Sequence, residues 1–318
     1  MYVVEDISGK GKGLIATKDI PKGTRIISET PFITVGRPIA NMEQLDMSIH
    51  QQVSSLNKDQ LRELLSMDNV YSYTTPIEKW RGILRTNALP MGSTLDAGGV
   101  FMKACRINHA CDSNAQNFWN ENLDQLTIHA VRDILEGDEI TICYLSSCRD
   151  RQTRREELQE NFKFICYCRL CSLPRNQSRK SDVKLNRIHK LDCIIDEGGV
   201  PGLILSPRRM LSCVDEQVRL LNEPIPDEVG LARAYPDAFQ IAIANGDLAR
   251  ARIFAERLVP LYVTTIGADT PDVIQYKKLI QDPTTHEYYG ISMNWKTAVH
   301  EVPQGLRVKE FEDWLWRR

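Results

Sequence analysis

Apolar positions change their period along the chain, and the changes mark its elements. In the first forty residues they fall in short β-branched runs, MYVV and GLIAT. DIPKGTRIISE then sets a Pro-Lys-Gly turn between two extended pieces, so the segment predicts short strands and turns. Over 41–86 the pattern differs: Leu45, Ile49, Val53, Leu56, Leu61, Leu64 and Leu65 recur at three- and four-residue steps. That is the period of an amphipathic helix, and it predicts a helical insertion between two β regions. From 87 to 145 the β character returns with ALPMG, GGVFM, a hairpin in FWNENLDQLTIHA, a polar turn, and a last strand in EITICYL.

RDRQTRREELQENFKF follows as a short charged helix whose charges are expected to form a solvated face. After Leu173-Pro174 the spacing predicts helices almost throughout, with VKLNRIHKLDCIIDE and RRMLSCVDEQVRLL as the first two. LARAYPDAFQIAIANGDLARARIFAERLVPLYVTTI predicts a helical hairpin, turned at Asn245-Gly246 and capped by Asp247. GDLARARIFAE resembles one tetratricopeptide unit, although a solenoid needs about three to bury a continuous core. The tail, FEDWLWRR, carries Phe311, Trp314 and Leu315 on one helical face and is expected to dock on that lobe.

Composition narrows the class. A chain of 318 residues suggests two domains, and 42% apolar with 26% charged residues is an ordinary globular balance. No apolar run approaches membrane-spanning length. The first residues show no apolar core behind a basic leader, so secretion is not expected. A net charge of −2 argues against direct nucleic-acid binding but permits a local acidic groove for a basic peptide. The nine cysteines are odd in number, and three crowd into CYCRLC. This suits a thiolate metal site in a reducing compartment better than a disulfide framework.

Four motifs carry chemistry. Ser8-Gly9-Lys10-Gly11-Lys12-Gly13 lacks the spacing and the following helix of a dinucleotide fingerprint, so it reads as a glycine turn that lets backbone approach a small ligand. Cys166-Tyr167-Cys168-Arg169-Leu170-Cys171 supplies three thiolates to a zinc site that needs four ligands. Spacing leaves Cys105, Cys111, Cys143, Cys148 and His109 open as the fourth. Asn108-His109-Ala110-Cys111-Asp112-Ser113-Asn114 packs more polar chemistry than a turn requires. Gly137-Asp138-Glu139-Ile140-Thr141-Ile142-Cys143-Tyr144 ends an apolar strand on a tyrosine.

In this order, the motifs over residues 1–172 resemble the SET-domain protein-lysine methyltransferases. Within them the chain is similar to SMYD-type and fungal SET proteins that carry a helical C-terminal lobe, but without the MYND zinc finger. The resemblance implies an α+β fold: a SET β-fold with a pseudoknot and helical insertion, a post-SET zinc site and an all-α C-terminal lobe. The corresponding boundaries are 1–150 for the SET domain, with the insertion at about 41–86. Residues 151–173 form the zinc segment and 174–318 the tetratricopeptide-like lobe.

The resemblance also implies a set of roles. S-adenosylmethionine would lie against Lys10, Gly11, Lys12, Asn87, Asn108 and His109, with Phe164 on the adenine. Tyr144 would be catalytic and also touch the cofactor, while Phe162 and Ile142 would line the substrate lysine channel. Cys111 would complete one structural zinc site with Cys166, Cys168 and Cys171. Ala110 and Ser113 depart mildly from the family pattern.

The implied activity is methyl transfer to a lysine of a histone tail or other protein, in the nucleus or cytoplasm, by a monomer whose helical lobe could dock a partner peptide. A non-catalytic SET-fold scaffold and a methyltransferase of a non-protein amine are the alternatives.

Overall fold

The computed structural model describes residues 1–36, 41–92, 97–146, 149–223 and 226–318. It contains two compact units: Met1–Ser146 together with Arg151–Leu173, and Pro174–Arg318 with the few residues that precede Arg151.

The first unit opens with β1 (Tyr2–Ile7), β2 (Gly11–Ala16), β3 (Arg25–Glu29) and β4 (Ile33–Gly36). The helical insertion follows as α1 (Met42–Ser55), α2 (Lys58–Leu65) and α3 (Pro76–Asn87). Each helix starts on a side-chain cap, as the sequence allows: Asn41, Asn57 and Thr75 accept from the first-turn amides of their own helices. The β region resumes with β5 (Leu89–Met91), β6 (Ala97–Val100), β7 (Asn108–His109), β8 (Ala115–Asn120), β9 (Gln125–Ala130) and β10 (Glu139–Ile142), and α4 (Arg151–Phe162) closes the unit.

The strands form three small sheets, in the orders β1-β2-β10-β7, β3-β9-β8 and β4-β6-β5. Alternating inward residues such as Leu14, Leu126, Ile128, Ile140 and Ile142 build the first core. A second core joins Ile33 and Val100 of the β4–β6 sheet to Ile49, Val53, Leu64 and Ile83 of the insertion. The helical spacing read from the sequence is therefore the face that packs on the sheet, with one exception. Leu65 stays 44% exposed because its neighbour Leu64 takes the inward position.

The second unit is helical among its described residues: α5 (Arg175–Leu205), α6 (Pro207–Leu221), α7 (Glu228–Ala244), α8 (Leu248–Thr265), α9 (Pro271–Gln281) and α10 (Val308–Leu315). The first is longer than its apolar run suggests and breaks at Gly199, whose φ of 47° precedes Pro201. Gly246 turns α7 into α8 with φ 73°, and Asp247 caps α8 by accepting from the Arg250 amide. Asp247 is fully buried and also holds Arg250, Arg317 and Thr297, which fastens the tail to the hairpin. Leu315 and Trp316 are buried on this core, with Phe311 and Trp314 packed beside them.

Candidate active site

A two-residue strand organises the site. β7 runs parallel to β10, with Asn108 opposite Thr141 and His109 opposite Ile142. Tyr144, two residues beyond β10, consequently arrives beside His109. Its amide donates to His109 Nδ1 at 3.0 Å and its hydroxyl donates to the Ile107 carbonyl at 2.6 Å. Asn114 locks the intervening loop onto β10. Its Nδ2 donates to the Glu139 carbonyl at 2.8 Å, and its Oδ1 accepts from the Thr141 amide at 2.8 Å.

The glycine turn lies on the other side of β10. Gly9 and Gly11 have φ of 73° and 72°, the left-handed region that glycine enters without strain. Gly13 serves a different need, close approach: a Cβ there would lie 2.7 Å from Asn108 Nδ2 and 2.6 Å from Ile7 Cγ1. Asn108 Nδ2 donates to the Lys12 carbonyl at 3.3 Å and to Glu139 Oε1 at 2.9 Å, while Lys10 Nζ pairs with Glu139 Oε2 at 2.6 Å. Lys10, Gly11, Lys12 and Asn108 are thus tied together across β2, β10 and β7 of the four-stranded sheet, with His109 next in β7. Asn87, at the end of α3, donates through Nδ2 to the carbonyls of Ile83 and Asp68. Asp68 in turn faces Gly11.

Four rings form a continuous wall. The His109 and Tyr144 centroids are 5.2 Å apart, His109 and Phe164 6.0 Å, and Tyr144 and Phe162 5.0 Å. Ile142 lies beneath, fully buried in the sheet core against which Tyr144 packs. Burial pushes the Tyr144 phenol above its ordinary value and pushes the His109 imidazole down to about 4. At neutral pH the phenol keeps its proton and the imidazole is uncharged.

The sulfur atoms of Cys111, Cys166, Cys168 and Cys171 all lie within 4.8 Å of one another. Cys111 stands 3.5 Å from Cys171 and 3.9 Å from Cys166. A zinc tetrahedron with 2.3 Å bonds has sulfur separations of about 3.8 Å, so the donor set fits zinc. Of the other candidates for the fourth ligand, Cys105 bonds the Phe101 amide and the Asn87 carbonyl, and Cys143 faces the Leu145 carbonyl. His109 gives Nδ1 to Tyr144 and turns Nε2 toward Cys111 at 3.3 Å. Cys148 lies outside the described residues.

α4 holds the cysteine hairpin. Arg151 and Arg155 donate to the carbonyls of Cys166, Cys171 and Leu173. Arg154 is 1% exposed and points Nη2 at Cys171 Sγ, 3.6 Å away. The expectation of a wholly solvated face on this helix is corrected at Arg154, where an anionic sulfur cluster gives a buried guanidinium its counter-charge. The thiols of Cys111, Cys166 and Cys168, with Arg154, hold the Cys171 thiol far below its ordinary value.

Sequence reasoning did not assign roles to Gly13, Asn114, Glu139, Arg106 or Arg154. Gly13 had a signal in the third glycine of the turn. Arg106 had none, because its partners, the Glu63 carboxylate and the Ser66 carbonyl at the end of α2, are some forty residues away.

Comparison with known proteins gives three relevant likenesses. Residues 11–145 match the SET domain family. The chain is 31% identical over 317 residues, 99% of its own length and 94% of the relative's, to histone-lysine N-methyltransferase set5 of Schizosaccharomyces pombe. It is 38% identical over 79 residues to the human protein-lysine N-trimethyltransferase SMYD5, covering 24% of this chain and 19% of that one. It is also 34% identical over 85 residues to human histone-lysine N-methyltransferase SMYD3, covering 27% and 19%.

Proposed function

The chain belongs to the SET-domain family, and on that footing we propose that its first unit binds S-adenosylmethionine between the glycine turn and the Asn108–His109 strand. Its activity is transfer of a methyl group to a lysine side chain of a histone or another protein. The observation that carries this reading is the parallel β7–β10 pairing, which brings Asn108, His109 and Tyr144 together.

The residues suit the cofactor. Gly9 opens onto free space, so backbone polar groups of the turn can meet a ligand. Asn87 and Asn108 spend their Nδ2 donors inside the protein and keep Oδ1 available for a ligand. Phe164 would offer its ring for a flat base to stack on. Bound there, S-adenosylmethionine would supply a sulfonium-borne methyl group whose carbon an amine can attack, the sulfur leaving as a neutral thioether.

The chain's own contribution is alignment. Tyr144 gives its single proton to Ile107, so its oxygen lone pairs are what it can offer the incoming amine or the electron-poor methyl group. Lysine, with an ordinary pKa of about 10.4, enters mostly protonated. Burial in an apolar channel lined by Phe162 and Ile142, beside the positive charge of the bound sulfonium, would disfavour the ammonium form and help it shed that proton to water. Ile142 would set the floor of the channel from below Tyr144. In the same reading Cys111, Cys166, Cys168 and Cys171 hold one structural zinc, whose four thiolates leave no position open for chemistry.

The helical unit is read as tetratricopeptide-like, a surface for a partner peptide, and the site of action as the nucleus or cytoplasm. Among the described residues no helix is long and apolar enough to cross a membrane.

The test is transfer of a radiolabelled methyl group from the cofactor to separated histone, cytosolic protein and small-molecule fractions. Label on protein lysines that disappears with Tyr144→Phe is expected. Label confined to small molecules would overturn the protein-substrate reading, and absence of label with cofactor bound would leave a scaffold.

A further inference from the structure

We propose that Glu139 is a positioning residue for the cofactor: it fixes the side-chain amide of Asn108 so that Oδ1, and not Nδ2, faces the ligand. The inference rests on the cofactor reading above and specifies which part of the cofactor Asn108 takes.

A primary amide can be turned either way, and its neighbours decide. Here Nδ2 donates to Glu139 Oε1 at 2.9 Å and to the Lys12 carbonyl at 3.3 Å. Turning the amide over would set its carbonyl oxygen against a carboxylate and a second carbonyl, two acceptors facing an acceptor. The carboxylate therefore admits one orientation. With both Nδ2 protons committed, Asn108 presents only an acceptor to a ligand. An acceptor recognises the α-ammonium of the methionine portion and repels its α-carboxylate.

Four other features support this role. Glu139 Oε2 holds Lys10 Nζ at 2.6 Å, so one carboxylate spans the glycine turn and β7. Its side chain is only 19% exposed, which strengthens its hydrogen bonds relative to water. Gly13 is the residue whose missing side chain lets the two groups meet, since a Cβ there would stand 3.2 Å from Glu139 Oε1 and 2.7 Å from Asn108 Nδ2. Glu139 also begins β10, the strand that leads to Tyr144.

The test measures calorimetric affinity of the full chain for two ligands. S-adenosylhomocysteine carries the amino-acid portion, and 5′-methylthioadenosine lacks it. Glu139→Leu is expected to weaken S-adenosylhomocysteine roughly tenfold or more, the value of one hydrogen bond to a charged group, and to leave 5′-methylthioadenosine within about twofold. Glu139→Asp withdraws the carboxylate by one methylene and is expected to shift the same ratio in the same direction, which keeps the test available if the leucine variant does not fold. Equal losses for both ligands would show a general loosening of the turn and overturn the proposal, as would unchanged affinity for S-adenosylhomocysteine. If the wild-type chain binds neither ligand, the cofactor reading falls first and the proposal with it.

Discussion

The imidazole of His109 lies between Tyr144 and Cys111: Nδ1 accepts the Tyr144 amide proton at 3.0 Å, and Nε2 stands 3.3 Å from Cys111 Sγ. Because Nδ1 accepts, the proton of the neutral ring is on Nε2 and points at the sulfur. One side chain thus links the thiolate cluster to the backbone of the proposed catalytic tyrosine. Were zinc bound by the four thiolates, its removal would loosen Cys111 and with it the contact to the ring. Chelation is expected to lower cofactor affinity and methyl transfer together, with both recovered when zinc is restored. Zinc content and calorimetric affinity for S-adenosylhomocysteine measured on the same sample check this. A zinc-depleted protein that binds with unchanged affinity would uncouple the two sites.

Tyr144→Phe removes a hydroxyl whose proton is held by the Ile107 carbonyl. The loss should cost about 1 kcal/mol of stability, one neutral hydrogen bond. The effect on turnover should be far larger, on the order of a hundredfold or more, as for other groups aimed at developing charge. Cofactor affinity should barely change, because the ring and its packing on His109 and Phe162 survive. Burial keeps the phenol protonated through the neutral range, so any rise of rate with pH should persist in its absence and belong to the substrate amine. Single-turnover transfer and ligand binding on the purified variant separate these effects, and near-normal turnover would remove Tyr144 from the reaction.

Much of this arrangement was legible in the sequence where the signal is local. Three- and four-residue steps running to Leu65 marked α1 and α2 of the insertion, and Asn245-Gly246-Asp247 marked the α7–α8 turn with its cap. Other parts depend on partners distant in the chain. β7 is two residues long and acquires its meaning only from β10, some thirty residues later. Spacing could not choose among five possible fourth ligands, whereas the fold brings Cys111 alone of the described candidates into the thiolate cluster. In α4 a signal was present but overruled by composition: Arg154 and Leu158, one turn apart, are its buried pair. A charged residue at an apolar position of a helical stripe was the clue.

Gly13→Ala tests close packing at the glycine turn. The new Cβ would overlap Ile7 and Asn108 Nδ2 at 2.6 and 2.7 Å, so Asn108 must shift. Overpacking of this kind costs about 1–3 kcal/mol, and S-adenosylhomocysteine affinity should fall with it. Gly36→Ala is the matched control in β4, where a Cβ meets nothing within 4 Å. Thermal unfolding and calorimetry of the pair should differ clearly. Equal behaviour would mean that the turn has room to spare.

Asp237 of α7 gives the helical unit a pH dependence. Its carboxyl is pushed up to about 7, first by burial and then by Asp196 and Asp192, with Arg233 opposing. Burial raises the nearby phenols of Tyr262 and Tyr276, and the charges of Asp272 and then Asp237 add to that rise. A carboxyl with a raised folded pKa stabilises fully below its unfolded value of about 3.9 and loses that contribution as pH climbs through the folded value. Stability should therefore decline between about pH 4 and just above 7, by something on the order of 2–4 kcal/mol. Asp237→Asn should raise the melting temperature at pH 8 and not at pH 4. Melting curves at the two pH values decide it, and a gain of the same size at both would assign the effect to packing.

Arg154 is expected to govern how tightly the metal is held. A zinc ion with four thiolates carries a net charge of −2, and an uncompensated charge of that size is costly in a buried site. Arg154 is among the largest fully buried side chains, and its Nη2 points at Cys171 Sγ from 3.6 Å. Arg154→Met keeps the aliphatic stem and deletes the charge. Zinc affinity should fall about 10- to 100-fold, as is typical when a partner of a metal ligand is lost. Competition against a chromogenic chelator gives the affinity. The rate of thiol alkylation should rise in parallel, because the cluster spends more time without metal. Arg154→Lys, with a smaller cation and no planar fork, should fall between the two. If the methionine variant held zinc as tightly as the wild type, the buried guanidinium would be serving the α4 packing and not the charge of the cluster.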